Sequence, residues 1–242
     1  MKDGQTEEIT MIEHMQLGDM PKFCEGVKTW LNGRYGEKQG AEIWRATAAQ
    51  YDEYLKDLPD YGGKKANHAL AIYGALLIFS LYPLLPDEPP TEDLQDFVQN
   101  LFMGDFRKLG KIFNLNRGAD MRLINAIFQN NGRKDNQNAE RHPAAFHTVT
   151  EPYDKANRAA RYRFTQCPNA EFAKKHNLLH VLPLFCNSDF WAMEQLHGAL
   201  IRCGTCGNAD ICDYCVVGSE SPLAAQYEIV KDENGFLVSR KI

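Results

Sequence analysis

The residues best able to do chemistry are crowded into one stretch of the chain. Six of the seven cysteines lie between positions 167 and 215, with acids among them, in Phe164-Thr-Gln-Cys167-Pro, Phe185-Cys186-Asn-Ser-Asp189 and Asp210-Ile-Cys212-Asp213-Tyr214. A thiol becomes a strong nucleophile when a helix N-terminus, a cation or a base lowers its pKa, and a carboxylate can bind a cation or carry a proton. The plainer reading is that cysteine is a small buried hydrophobe. Cys186 stands just before a helical segment at 189–197, whose positive end would favour a thiolate. Cys167 stands in the same relation to a helix opened by Pro168. His197 is the base nearest in sequence to Cys186 and Asp189, although a histidine satisfied at a helix end fits equally well. Asp189 itself also reads as an N-cap. Asp213 interrupts an apolar strand, where an acid needs a partner. Arg161, Arg163 and Arg202 offer guanidinium forks that match a substrate carboxylate.

Cys203-x2-Cys206 and Cys212-x2-Cys215 form two CxxC pairs, and a four-cysteine zinc site is the alternative they raise. The five residues between the pairs are few for such a site. A strand over 211–217 would also point Cys212 and Cys215 to opposite faces. Reduced thiols with no cofactor are therefore expected. A thiol-redox role lacks the βαβ setting such motifs require. The chain shows no P-loop, dinucleotide fingerprint or Gly-x-Ser-x-Gly elbow, which removes the commonest nucleotide-binding and serine-hydrolase readings.

The elements that must position these residues follow from periodicity. Val27, Trp30 and Leu31, then Trp44, Ala48, Tyr51, Leu55 and Leu58, step by three and four, with Gly33, Gly36 and Gly40 breaking or joining two helices. The run at 66–82 is apolar on nearly all sides and reads as a central buried helix, too short and too proline-bounded for a membrane span. Thr91 caps a helix carrying Leu94 to Phe113, and a shorter apolar set runs from Met121 to Phe128. The polar run 130–141 reads as a loop. Arg161 to Thr165 alternates as a strand does, and Tyr227–Ser239 reads as a hairpin turned by Asn234-Gly235. The expected class is α+β: a polar tail at 1–20, a helical part at 21–129, a polar linker at 130–157, and an α+β part at 158–242 with a small antiparallel sheet and two or more helices.

A net charge of −5 and a sequence pI near 5.8 argue against general nucleic-acid binding. The polar, acidic opening carries no secretory h-region, so reduced cysteines and a cytoplasmic location are expected. The oligomeric state is left open.

The order Cys167-Pro-x-Ala-x-Phe172, Phe185-Cys186-x-x-Asp189 and Gly207-x4-Cys212-Asp213-aromatic resembles the L-2-amino-thiazoline-4-carboxylic acid hydrolase family across the C-terminal third. Tyr35-Gly36-Glu37 and the apolar helix are similar in kind. The resemblance implies a hydrolase that opens a small cyclic amidine, taking an amino-thiazoline ring toward an N-carbamoyl-cysteine product. The substrate would be a cationic or amidine-like small molecule bearing a carboxylate. Asp189 and Asp213 would bind the amidine, and Cys186 is the first choice of nucleophile, with Cys167 and Cys212 as the other motif thiols. Cys203, Cys206, Cys215 and the 130–141 run depart from the pattern and bear on the substrate. A non-catalytic ligand- or metal-binding module of the same fold is the rival reading.

Overall fold

A computed structural model describes residues 12–87 and 91–242. The expected tail at 1–20 therefore lies largely outside the described residues, as does the side chain of Thr91. The chain is α+β, as expected. It begins with α1 (Pro21–Lys56), whose buried face carries Phe23, Val27, Leu31, Ile43, Tyr51 and Leu55. Pro21 fits its first turn, where no amide partner is needed. Gly36, with φ 78° and ψ 162°, kinks α1 in the middle. Next comes α2 (Ala69–Leu81), buried at every residue except Leu70 and Ala71. It is the centre around which α1 and the later helices pack.

The apolar run from Leu94 to Phe113 divides into α3 (Thr91–Met103) and the single turn α4 (Phe106–Leu109). α5 (Gly118–Ala139) then continues straight through the segment expected to be a loop. The correction has a clear cause. Gly132, Asp135 and Ala139 are buried at helical spacing, so the polar run has an inward face made of small and hydrogen-bonding residues. Asn136 bonds both backbone groups of Thr148, its Nδ2 donating to the carbonyl at 2.8 Å and its Oδ1 accepting from the amide at 3.0 Å. Asn138 donates to the Tyr61 carbonyl at 2.8 Å. Apolar periodicity cannot register a face anchored this way.

The second half adds β1 (His147–Thr150), β2 (Ala160–Gln166), α6 (Pro168–Lys175), α7 (Pro183–Cys186), α8 (Ser188–Gln195), β3 (Gly198–Ile201), β4 (Cys212–Gly218), β5 (Tyr227–Lys231) and β6 (Leu237–Lys241). β1 and β3, four residues each, were not anticipated. The first four strands form one antiparallel sheet in the order β1-β2-β4-β3, and β5 and β6 form the expected hairpin. Register pairs Tyr162 with Tyr214 and Phe164 with Cys212. Ala160, Leu200, Cys212 and Val216 face the helices, while Ala159, Ile201, Cys215 and Val217 belong to a separate cluster on the reverse. No helix among the described residues is long and apolar enough to cross a membrane.

Two glycines three residues apart in α1 should respond oppositely to alanine. Gly36→Ala forces a side chain into a glycine-only conformation and should cost about 1–3 kcal/mol. Gly33 has no such constraint, and a methyl there meets nothing within 4 Å. Gly33→Ala should stabilise by about 0.5–1 kcal/mol. Urea denaturation of both variants checks this, and a Gly36→Ala protein no less stable than the wild type would mean that Gly36 does not hold the kink.

Candidate active site

The helix-facing side of the sheet carries an aromatic wall. Tyr162 and Tyr214 stack with ring centroids 4.4 Å apart and an 8° interplanar angle. Phe164 meets both edge-on, at 5.5 and 5.8 Å. Phe128 of α5 closes on Tyr162 at 4.6 Å. Strand alternation places these rings together, because 162 and 164 on β2 share a face with 212 and 214 on β4.

At one end of this wall stands Arg202, just beyond β3 and 0% exposed. A buried guanidinium requires partners. Its Nη1 donates to Asp189 Oδ2 at 2.9 Å, and the Tyr214 hydroxyl donates to the same oxygen at 2.7 Å. Nη2 donates to the Leu237 carbonyl at 3.4 Å, and the guanidinium lies 4.8 Å from the Phe190 ring centroid. Nε finds no hydrogen-bond partner among the described residues. The arginine backbone is clasped by the hairpin: its amide donates to Ser239 Oγ at 3.0 Å, and its carbonyl accepts from the Ser239 amide at 2.7 Å.

Burial opposes the Arg202 charge, but Tyr214 and Asp189 more than offset it, so the guanidinium stays protonated. Burial pushes the Asp189 carboxyl above the usual carboxylate range, with the Arg202 charge and the bonds from Tyr214 and Arg202 pulling the other way. A permanently charged arginine at 2.9 Å favours the carboxylate form of the pair. Oδ1 of Asp189 has no protein partner among the described residues and is not sealed off.

Asp189 keeps 26% of its side-chain surface accessible even though burial is the leading influence on its carboxyl. Tyr162, Cys167, Cys186 and Tyr214 show the same combination of partial accessibility and strong burial. These groups are recessed rather than sealed. The three motif thiols lie within electrostatic range of one another, since Cys167, Cys212 and Asp189 each act on Cys186. Burial pushes Cys186 well up, with Arg202 the main influence in the other direction. Cys212 is pushed up to about 12 by burial. Burial likewise raises Cys167, although the amides of Ala170 and Asn169 pull it down from the first turn of α6. Cys167 also lines a polar cavity of about 400 Å³ with Gln166, Glu171, Lys174, Cys206 and Asp210.

The other anticipated residues stand elsewhere. Asp213 points to the reverse of β4, where its carboxylate accepts from the Cys203 amide (3.0 and 3.2 Å) and the Gly204 amide (2.8 Å). It closes a loop there rather than facing the helices. His197 is exposed, with φ 57°, and its Nε2 lies 3.2 Å from the Gly110 carbonyl oxygen, so it is not beside Cys186. Arg161 and Arg163 also project from the reverse face, toward Asp154 at 3.6 Å and Glu151 at 3.8 Å. Arg202 is at the site but fully enclosed, which leaves it positioning Asp189 rather than touching a ligand.

The four cysteines of the zinc alternative do not converge. Cys203 is exposed, Cys206 and Cys212 lie in the main core, and Cys215 lies in the cluster on the reverse of the sheet. Among the described residues no three His, Cys, Asp or Glu side chains are grouped to hold a metal ion.

The family model for L-2-amino-thiazoline-4-carboxylic acid hydrolase matches residues 72–216, from α2 through most of β4. The chain belongs to that family. No curated protein matches it, and neither does any solved structure. The span matched by the hydrolase family contains the aromatic wall, all three motif thiols and the Asp189–Arg202–Tyr214 cluster. The family name makes a hydrolase with a small-molecule substrate the coarse reading. Several residues of the site were not foreseen. Tyr162, Phe164 and Tyr214 were available from strand parity once Cys212 was taken to face inward. His68 and Asp135, bonded to each other at 3.1 Å, lie far apart in sequence and share no motif.

Two outcomes follow. Arg202→Met leaves Asp189 buried without its cation and should cost about 3–5 kcal/mol, part of which returns in the double variant with Asp189→Asn. Chemical denaturation reads both, and a silent Arg202→Met would remove the pair from any structural role. Burial raises every one of these thiols, Cys203 included, where Asp213 adds to it, but Cys203 alone is exposed and should be the first to react with a disulfide reagent. Cys203→Ser should abolish the fast phase, and a fast phase that persists would show that a motif thiol is already ionised.

Proposed function

We propose that this protein is a hydrolase that opens a small cyclic amidine of the 2-amino-thiazoline-4-carboxylate type, using the thiol–carboxylate centre. The observation that carries the reading is Asp189. One of its carboxylate oxygens is held by Arg202 and Tyr214, and the other accepts no hydrogen bond among the described residues and is not sealed off. A fixed anion with a free acceptor suits an amidinium, which presents N–H donors and a positive charge together. The stacked tyrosines offer a flat wall for a planar ring.

Cys167 is favoured over Cys186 as the attacking thiol. Two amides of the α6 first turn pull its pKa down, and it borders the polar cavity. In that cavity Lys174 offers a cation for a substrate carboxylate, while Glu171 and Asp210 favour the amidinium on its way in. Attack by the thiolate on the carbon between the ring nitrogen, ring sulfur and exocyclic nitrogen breaks the ring C–S bond. The departing sulfur takes a proton. Water then adds to the enzyme-bound carbon, the cysteine leaves as a thiol, and the product is a urea bearing a new thiol, N-carbamoyl-cysteine.

The test is a substrate screen of cyclic amidines, following release of the product thiol. Asp189→Asn should lower kcat/KM about 100-fold, the size of a lost charge-assisted contact of about 2.7 kcal/mol. Cys167→Ser should eliminate turnover. Wild-type protein caught in the reaction should carry a covalent adduct on Cys167 equal in mass to the whole substrate, because ring opening loses no atoms. Full activity in Cys167→Ser with loss in Cys186→Ser would transfer the attack to Cys186. Retention in all three variants would sink the thiol–carboxylate mechanism.

A further inference from the structure

The centre as described lacks a proton acceptor. Burial favours the protonated motif thiols, Asp189 is held by Arg202 and Tyr214 at one oxygen and offers the other to the amidinium, and His197 lies away on the Gly110 carbonyl. A dyad on the same side of the sheet, a half-buried histidine on a buried carboxylate, supplies what is missing. His68 precedes the first turn of α2 and makes no capping bond with its side chain. Its Nε2 lies 3.1 and 3.2 Å from the two carboxylate oxygens of Asp135, on α5.

Asp135 is 3% exposed and fully engaged. Besides His68 it accepts from Thr148 Oγ1 at 2.7 Å and from Asn67 Nδ2 at 2.8 Å. Burial opposes its charge, but the His68, Asn67 and Thr148 bonds win and hold the carboxyl below its ordinary range. An ionised carboxylate only accepts hydrogen bonds, so His68 must present an N–H at Nε2. Asn67 Nδ2 lies 3.3 Å from that nitrogen but donates to the carboxylate at the shorter distance. In the neutral ring the lone pair is then on Nδ1. That atom has no hydrogen-bond partner among the described residues and is not sealed off.

Two contacts bring the dyad to the thiol. The His68 ring stands edge-on to Phe146 at 5.1 Å and to Phe164 at 6.3 Å, so it abuts the aromatic wall three residues before Cys167. Asn169, in the first turn of α6, donates to the carbonyl of Ala71, in the first turn of α2, at 3.4 Å. The N-termini of the two helices are thereby held together, with His68 at one and Cys167 at the other. Both helix dipoles present their positive ends to a thiolate formed between them.

We propose that His68 is the proton acceptor for Cys167 and that Asp135 is the residue that positions it. The Cys167 S–H proton passes to His68 Nδ1, giving a thiolate and an imidazolium. The imidazolium returns that proton to the ring sulfur as the C–S bond breaks. His68 then takes a proton from the attacking water and delivers it to the departing Cys167 sulfur, which restores the starting state. The substrate in this cycle rests on the ring-opening reading above, whereas the proton transfer between His68 and Cys167 does not.

The test therefore reads the thiol as well as turnover, in a Cys203→Ser background free of the exposed thiol. Iodoacetamide alkylation of Cys167, mapped by peptide mass, should slow at least 10-fold in His68→Gln, and less in Asp135→Asn. Turnover of 2-amino-thiazoline-4-carboxylate should fall about 100-fold or more in kcat with KM within a few-fold, and added imidazole should restore part of it in His68→Ala. Alkylation unchanged in a folded His68→Gln protein would overturn the proposal, whether or not the protein turns over. His68-dependent alkylation in a wild-type protein that opens no cyclic amidine would uphold the acceptor and strike down the substrate reading. Should the His68 variants fail to fold, nitrogen NMR of the wild-type imidazole decides: protonation at Nε2 with a bare Nδ1 supports the dyad, and the opposite tautomer overturns it.

Discussion

The structure turns on one buried arginine. A guanidinium removed from water calls for partners from several directions, and those of Arg202 come from different elements: α8 through Asp189, β4 through Tyr214 and β6 through the Leu237 carbonyl, while Ser239 of β6 holds the arginine backbone. Meeting these demands fixes where α8 lies on the sheet and why the hairpin packs against β3. An ion pair of this kind adds little net stability over a well-packed apolar substitute, but leaving one partner unmatched is expensive. The arrangement therefore specifies geometry more than it stabilises the fold, and the geometry it specifies is a carboxylate held at one oxygen, with no hydrogen bond to the other among the described residues.

The thiols share a second constraint. Surrounding a cysteine with protein disfavours its anion, and here that influence exceeds every nearby amide and cation. A buried thiol centre is thus quiet by default. Its reactivity has to come from a group that can receive the proton at the moment of attack, which makes the proton's destination as much a part of the site as the sulfur.

Much of this was legible in the chain. The three Cys/Asp elements, the hairpin at Asn234-Gly235, the central apolar helix and the break in α1 all rest on local signals, and each is present. The missed features share a physical reason. Parity along β2 and β4 puts Tyr162 and Tyr214 inward and Arg161, Arg163 and Asp213 outward, and it was the polar residues, chosen for their chemistry, that faced the wrong way. The segment 130–139 was misread because its buried face is Gly132, Asp135 and Ala139, held by hydrogen bonds to Thr148 instead of by apolar contacts. His68 and Asp135 are 67 positions apart, and no spacing rule joins them.

The clasp on Arg202 sets an order of events in the life of each chain. Ser239 lies 37 positions beyond the arginine whose amide and carbonyl it secures. The sheet, the thiols and Asp189 are all made before that serine. Until β6 folds back, the arginine backbone is untied on one side. The clasp can therefore close only after every residue of the cluster it secures has been made.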